Sequence, residues 1–173
     1  MKTKTLQSLT LILSLLQLAK SLTLAGTVRN FHSSHPDFEK FQGAEQGIVE
    51  DQLGADKKPV YKGGQAQTTT GKENFGQWYR DVDGVNLSTQ FSIELLDEDG
   101  DGIYTYDNPN FFPIDNQLFG NEGNNRNFHF TYEIQTSSLS LLTRRLSFSL
   151  VMMIFGFSGI MSLSAIWAVF MEP

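Results

Sequence analysis

Phe128-His129-Phe130-Thr131-Tyr132-Glu133-Ile134 alternates a large apolar residue with a polar one at every step. Successive side chains of an extended chain point to opposite faces, so Phe128, Phe130, Tyr132 and Ile134 share one face and His129, Thr131 and Glu133 the other. This is the pattern of a half-buried antiparallel strand, with the apolar face on a core and the polar face toward water. Phe91, Ile93 and Leu95 alternate with Ser92 and Glu94 in the same way. Thr27 to Phe31, Pro59 to Tyr61 and Ile103 to Tyr106 are shorter strand candidates. Between them Gly, Asn, Asp and Thr recur without a helical period, and connections such as Gly63 to Asn74 are long. The prediction is an all-β domain with long loops of the kind that carry binding surfaces.

The rest of the composition narrows the function. The chain has 173 residues, 40% of them hydrophobic and 12% aromatic, enough for one folded domain with a core. All 19 acidic residues follow Ala25, whereas Lys2, Lys4 and Lys20 precede it, leaving ten basic residues against them. A surface this acidic repels phosphate backbones and argues against nucleic acid as a partner. The absence of cysteine removes disulfides, thiol nucleophiles and cysteine-ligated zinc from consideration. Lys2 and Lys4, the apolar run Leu6 to Leu18, and the small residues Ala19 and Ser21 have the layout of a secretory signal. Residues 1–21 are expected to be a signal helix, with cleavage after Ser21 or Ala25 fitting equally well.

Eight short strings then occur in a telling order. They are Thr27-Val28-Arg29-Asn30-Phe31, His35-Pro36-Asp37-Phe38-Glu39, Gly47-Ile48-Val49-Glu50, Lys58-Pro59-Val60-Tyr61, Trp78-Tyr79-Arg80-Asp81-Val82 with Gly84-Val85-Asn86, Tyr104-Thr105-Tyr106, Phe111-Phe112-Pro113-Ile114-Asp115 and Asn127-Phe128-His129-Phe130-Thr131. In this order they resemble the fibro-slime domain of slime-mould prespore-inducing factors and bacterial surface proteins, where that domain runs into a PA14-type β-sandwich. The resemblance covers about Thr27 to Thr136 and sets domain bounds of 26–136. It implies a partial β-sandwich in a secreted or cell-surface protein, and it supplies no catalytic residues. The expected function is a non-enzymatic module for adhesion or for contact with glycans or extracellular matrix. An accessory to a polysaccharide-active enzyme and a secreted signalling factor are the alternatives.

Residues 137–173 depart from that resemblance and become rich in Ser and Leu, then apolar from Leu146 to Met171. Val151-Met152-Met153-Ile154 must be encoded GTN ATG ATG ATH, and reading from the last base of each codon yields GAT twice, which is Asp-Asp. The same shift yields Gly from Trp167-Ala168 and from Met171-Glu172. These forced residues match the Asp-rich motif of the PA14-type segment at its spacing, so the tail reads as that segment in a displaced frame. The competing reading is a membrane-spanning helix, because Leu146 to Met171 carries no charge and is long enough to cross a bilayer. Arg144 and Arg145 would then lie outside, against the positive-inside bias, and a glycolipid-anchor signal suits that topology better. A membrane partner is expected only if this apolar, helix-like tail is genuine.

Individual residues suggest chemistry in four places. Asp97, Asp99 and Asp101, with Gly100 between the last two and Gly102 after them, offer alternate oxygens as calcium loops do, although Asn108 stands where a bidentate Glu is wanted. An acidic turn between two strands accounts for the same residues. Trp78 and Tyr79, with Phe111 and Phe112, could form a sugar-stacking platform or could pack in the core. Asn86-Leu87-Ser88 is an acceptor sequence for N-glycosylation in a secreted chain. His32 and His35 lack a third metal ligand and read as structural or surface residues, and no motif places a triad around His129.

Overall fold

The computed structural model describes residues 21–39, 45–100, 104–139, 145–154 and 164–171, with side-chain surroundings to residue 135. The expected signal helix therefore lies outside the described residues. Five antiparallel-paired strands dominate: β1 (Ser21–Phe31), β2 (Asn86–Leu96), β3 (Phe130–Leu139), β4 (Arg145–Ile154) and β5 (Ser164–Met171). They form one sheet in the order β2-β1-β3-β4-β5. Helix is confined to α1 (Lys72–Gln77), a six-residue turn inside a segment the sequence reads as loop. Gly71 precedes it, and Phe75 buries its ring from it. The chain divides into two compact units, one of Ala25–Ser92 with Asn108–Pro173 and one of Met1–Leu24 with Ile93–Asp107. In the smaller unit, Leu96 and Thr105 form a single bridge where the sequence predicts a strand at Ile103 to Tyr106.

The all-β expectation holds, and so do the strands at Thr27–Phe31 and Phe91–Leu95; the strand expected from Phe128 to Ile134 begins two residues later, at Phe130. Pro59 to Tyr61 contributes one bridge, Val49 to Tyr61, flanked by Glu50 N donating to Val60 O and Lys62 N donating to Ile48 O. The tail corrects the expectation of a helix. Arg145–Ile154 pairs along the whole of β3 and Ser164–Met171 pairs with β4. Its sequence carries a period of two that its overall apolarity conceals: Leu146, Phe148, Leu150, Met152 and Ile154 alternate with Arg145, Ser147 and Ser149. β3 also offers an edge for such a strand, and it runs to Leu139, past the boundary at Thr136 that the strings suggested. Among the described residues, no helix is long and apolar enough to cross a membrane.

Register explains how β1 and β3 share a core. Val28 faces Tyr132, Asn30 faces Phe130 and Gly26 faces Ile134, so these residues project to one side of the sheet. Phe111 packs there against Phe130 and Tyr132, and Phe91 against Phe111 and Tyr132. On the opposite side Phe31 joins Phe38, Ile48, Phe75, Trp78 and Tyr79 in a second cluster. Over Phe130–Ile134 both faces of β3 are therefore buried, which corrects the expected half-buried strand: Thr131 and Glu133, with His129 just before the strand, are buried like Phe130 and Tyr132. Long loops cover the second face, and His129, Thr131 and Glu133 each find a hydrogen-bond partner beneath them, the condition for burying a polar group.

Gly26 shows how tightly the first face is closed. A Cβ at this position would lie 2.4 Å from Glu133 O and 2.6 Å from the Tyr132 ring. Gly26→Ala is therefore expected to destabilise the fold by about 1–3 kcal/mol through overpacking. Chemical denaturation measures this, and a variant as stable as the parent would contradict the register.

Candidate functional site

Three buried or half-buried carboxylates organise the loops over the second face of the sheet. The first is Glu133, whose side chain is 2% exposed. Its Oε2 accepts from Arg29 Nη1 at 2.9 Å, and Lys58 Nζ lies 2.8 and 2.9 Å from its two oxygens. Arg29 reaches on to Asp81 at 2.8 Å. Arg29 sits diagonally across from Glu133 on the same face, so strand pairing itself sets up the ion pair. Lys58 then ties the loop of residues 48–62 to the strand, assisted by Gln135 Nε2 donating to Lys57 O.

The second is Asp37, fully buried in the His-Pro-Asp-Phe string. Its Oδ1 accepts from Thr70 N and Thr70 Oγ1, both at 2.7 Å, and its Oδ2 from Thr69 Oγ1 at 2.8 Å and Trp78 Nε1 at 3.0 Å. His35 braces the same turn. Its Nδ1 accepts from Asp37 N, so Nε2 carries the proton and donates to Gln77 Oε1 at 2.9 Å. Glu45 holds the next stretch of that loop, accepting from Gln67 N, Thr68 N and Thr68 Oγ1. Burial acts to raise the Glu45 carboxyl, but the Thr68 and Gln67 hydrogen bonds outweigh it and hold it below the usual range.

The third is Glu122, which bridges two histidines. Its Oε1 lies 2.7 Å from His32 Nδ1, and its Oε2 accepts from Ser33 N at 2.6 Å and lies 3.2 Å from His129 Nδ1. The other ring nitrogen of His129 faces Glu39 at 2.5 Å. Glu39 and Glu122 both have left-handed backbone, with φ of 68° and 49°, uncommon for residues with a side chain. Strain of this kind persists where surroundings fix it, and the shared imidazole is that fixing contact. Burial acts to raise the Glu122 carboxyl, yet the bonds from His32 and Ser33 and the charge of His129 hold it low.

Beside the Asp37 hub a cleft of about 460 Å³ opens between Tyr61 and Gly71. Tyr61, Gln65, Thr69 and Thr70 line it together with small residues, and no charged side chain contributes. Tyr61 donates its hydroxyl to Gly64 O at 2.9 Å, and Asn74 donates to Thr70 Oγ1. Gly63, Gly64 and Gly71 all have positive φ, a path this rim can take cheaply only with glycine.

The residues singled out from sequence fall elsewhere. Trp78 and Tyr79 are fully buried, so the sugar-stacking reading is corrected: both rings belong to the second core, 4.8 and 5.1 Å from Phe75. The Tyr79 hydroxyl has no hydrogen-bond partner, and burial followed by the Glu133 charge pushes its ionisation upward against the pull of Arg80. Phe111 is also buried, and Arg126 covers Phe112 at 5.3 Å. The glycosylation reading of Asn86 is corrected too, because its Nδ2 donates to Gln77 O and Arg80 O while its Oδ1 accepts from Val82 N. A buried amide nitrogen so engaged cannot carry a glycan in this fold. Asp97 is buried and accepts from Gly100 N at 2.7 Å, Asp99 is exposed, and Asp101 lies outside the described residues. Among the described residues, no group of three or more His, Asp or Glu is arranged to hold a metal ion. The polar hubs and the cleft were not foreseen, although Asp37, Lys58 and His129 lie in the strings that carried the resemblance.

Comparison with known proteins agrees with the slime-mould direction of those strings. The chain is similar to psi proteins of Dictyostelium discoideum: 33% identical to protein psiQ over 108 residues, 34% to psiR over 125 and 32% to psiD over 135. These matches cover 54%, 62% and 68% of this chain, but only 11%, 13% and 27% of the relatives. The chain thus spans between about a tenth and a quarter of the length of the curated relatives it matches. No family model matches it, and no solved structure does.

The Glu122 bridge gives a signed pH dependence. A carboxyl held low in the fold contributes stability above the ordinary glutamate range, and that contribution disappears as pH falls through the lowered value. Thermal unfolding of the wild type is expected to lose stability on acidification across that window, and Glu122→Gln to flatten the slope. Identical pH profiles for the two proteins would contradict the bridge.

Proposed function

We propose that this chain is a secreted or cell-surface, non-enzymatic module that makes adhesive contact with glycans or extracellular matrix. The reading takes residues 26–136 as a fibro-slime domain whose PA14-type continuation lies in a displaced frame. The observation that carries it is the loop platform. Asp37 and Glu45 accept hydrogen bonds from Thr68, Thr69 and Thr70 at the border of an open, uncharged cleft, and Glu122 and Glu133 fix other loops by the same means. Carboxylates committed to backbone and cationic donors hold a surface in shape before any ligand arrives, and such preorganisation lowers the entropic cost of binding. The similarity to psi proteins supports the domain assignment, and the signal-like leader supports secretion.

The test is to secrete the full chain from a eukaryotic host and probe it on a glycan array and on matrix components. Retention of specific glycans or matrix polymers without their cleavage is the expected result. Depolymerisation of a polysaccharide, or binding only to a cell-surface receptor protein, would overturn the reading.

A further inference from the structure

Resting on the glycan-contact reading, we infer that the cleft between Tyr61 and Gly71 is the sugar site, and that it takes a neutral pyranose in preference to an acidic one. Four features of the cleft point this way. Its lining holds no charged side chain: Lys62 falls inside the 61–71 segment and Lys72 directly after it, and neither lines the cleft. The Asp37 carboxylate lies behind Thr69 and Thr70, a negative charge that disfavours a uronate in front of them. Tyr61 is half-buried against Phe75, with ring centres 5.5 Å apart, so its ring is fixed and partly open, and an aromatic face of this kind packs on the C–H face of a sugar. The exposed Gln65 presents an amide that can donate to one hydroxyl and accept from its neighbour.

The cleft is also of suitable size and rigidity. A volume of about 460 Å³ falls within the ~300–1,000 Å³ common for small-molecule sites. The exposed Thr70 hydroxyl donates to Asp37 and accepts from Asn74, so its oxygen is held in one orientation at the rim with one lone pair left for a ligand, while the buried Thr69 hydroxyl is engaged by Asp37 and Gly71 N. Gly64 and Gly71 add no side chain to the rim, so a ring can approach the backbone closely. Trp78 and Tyr79 suggested sugar binding through aromatic bulk, whereas this cleft combines one aromatic ring with several uncharged hydrogen-bonding groups, the composition that polyhydroxylated rings require.

The experiment uses the full chain labelled with ¹⁵N and titrated with methyl α-glucopyranoside, methyl β-galactopyranoside and sodium glucuronate. A neutral glycoside is expected to shift the amides of Gly64, Gln65, Ala66 and Gly71, with glucuronate weaker at equal concentration. Gln65→Ala is expected to weaken the neutral glycoside about fivefold, as the loss of one net hydrogen bond would. Tyr61→Leu is expected to weaken it further, its fold checked by an unchanged amide spectrum away from the cleft. Shifts that map elsewhere, or a preference for glucuronate, would overturn the site. If array binding persists unchanged in Gln65→Ala and Tyr61→Leu, the glycan-contact reading stands and this site falls. An empty array together with no amide shifts removes both.

Discussion

The structure turns on a carboxylate that ought to be costly. Glu133 lies in the middle of β3 with its side chain sealed under the loops, and an ionised carboxyl there is tolerable only because Arg29 and Lys58 both reach it. Arg29 comes from the neighbouring strand and Lys58 from a loop 75 residues away in sequence, so one buried charge joins sheet to loop. Removing either cation leaves a desolvated negative charge with incomplete compensation, a loss of several kcal/mol in comparable buried pairs (~3–5 kcal/mol).

Thr131 of β3 and His129, which immediately precedes the strand, extend the same principle. Thr131 donates to Trp78 O, fixing the turn after α1, and His129 sits between Glu39 and Glu122. His129, Thr131 and Glu133 therefore each attach a different stretch of loop to the sheet, while the intervening Phe130, Tyr132 and Ile134 pack on the other side. Asp37 and Glu45 continue outward from that framework to hold the residues that border the cleft. The proposed contact surface would thus consist of loops whose shape is set by buried polar contacts reaching back to one strand.

Much of this was legible in the sequence, and the limits have physical causes. Period-two alternation located β2 and β3, and the same period marks β4, where the uncharged run from Leu146 to Met171 suggested a membrane helix as the competitor to a displaced-frame segment. Alternation also assigned the polar face of β3 to water, because a sequence pattern shows which residues share a face but not what covers that face. The aromatic pair Trp78-Tyr79 and the acceptor Asn86 failed for one reason: exposure decides their chemistry, and exposure is set by the second core around Phe31 and Phe75. Asp37 draws Thr69, Thr70 and Trp78, and Glu122 draws His32 and Ser33, from segments 32 to 90 residues distant, beyond any local spacing rule.

The most direct test of the central claim is amide hydrogen exchange in Glu133→Gln. The amides of Glu50, Gly54 and Lys62 report on the loop that Lys58 anchors, through their bonds to Val60 O, Lys58 O and Ile48 O. The account predicts that these amides lose protection by about tenfold or more while the β1–β3 ladder keeps most of its own, as a local opening would require. Equal protection in the variant and the parent would contradict the claim that this buried carboxylate holds the loop platform on the sheet.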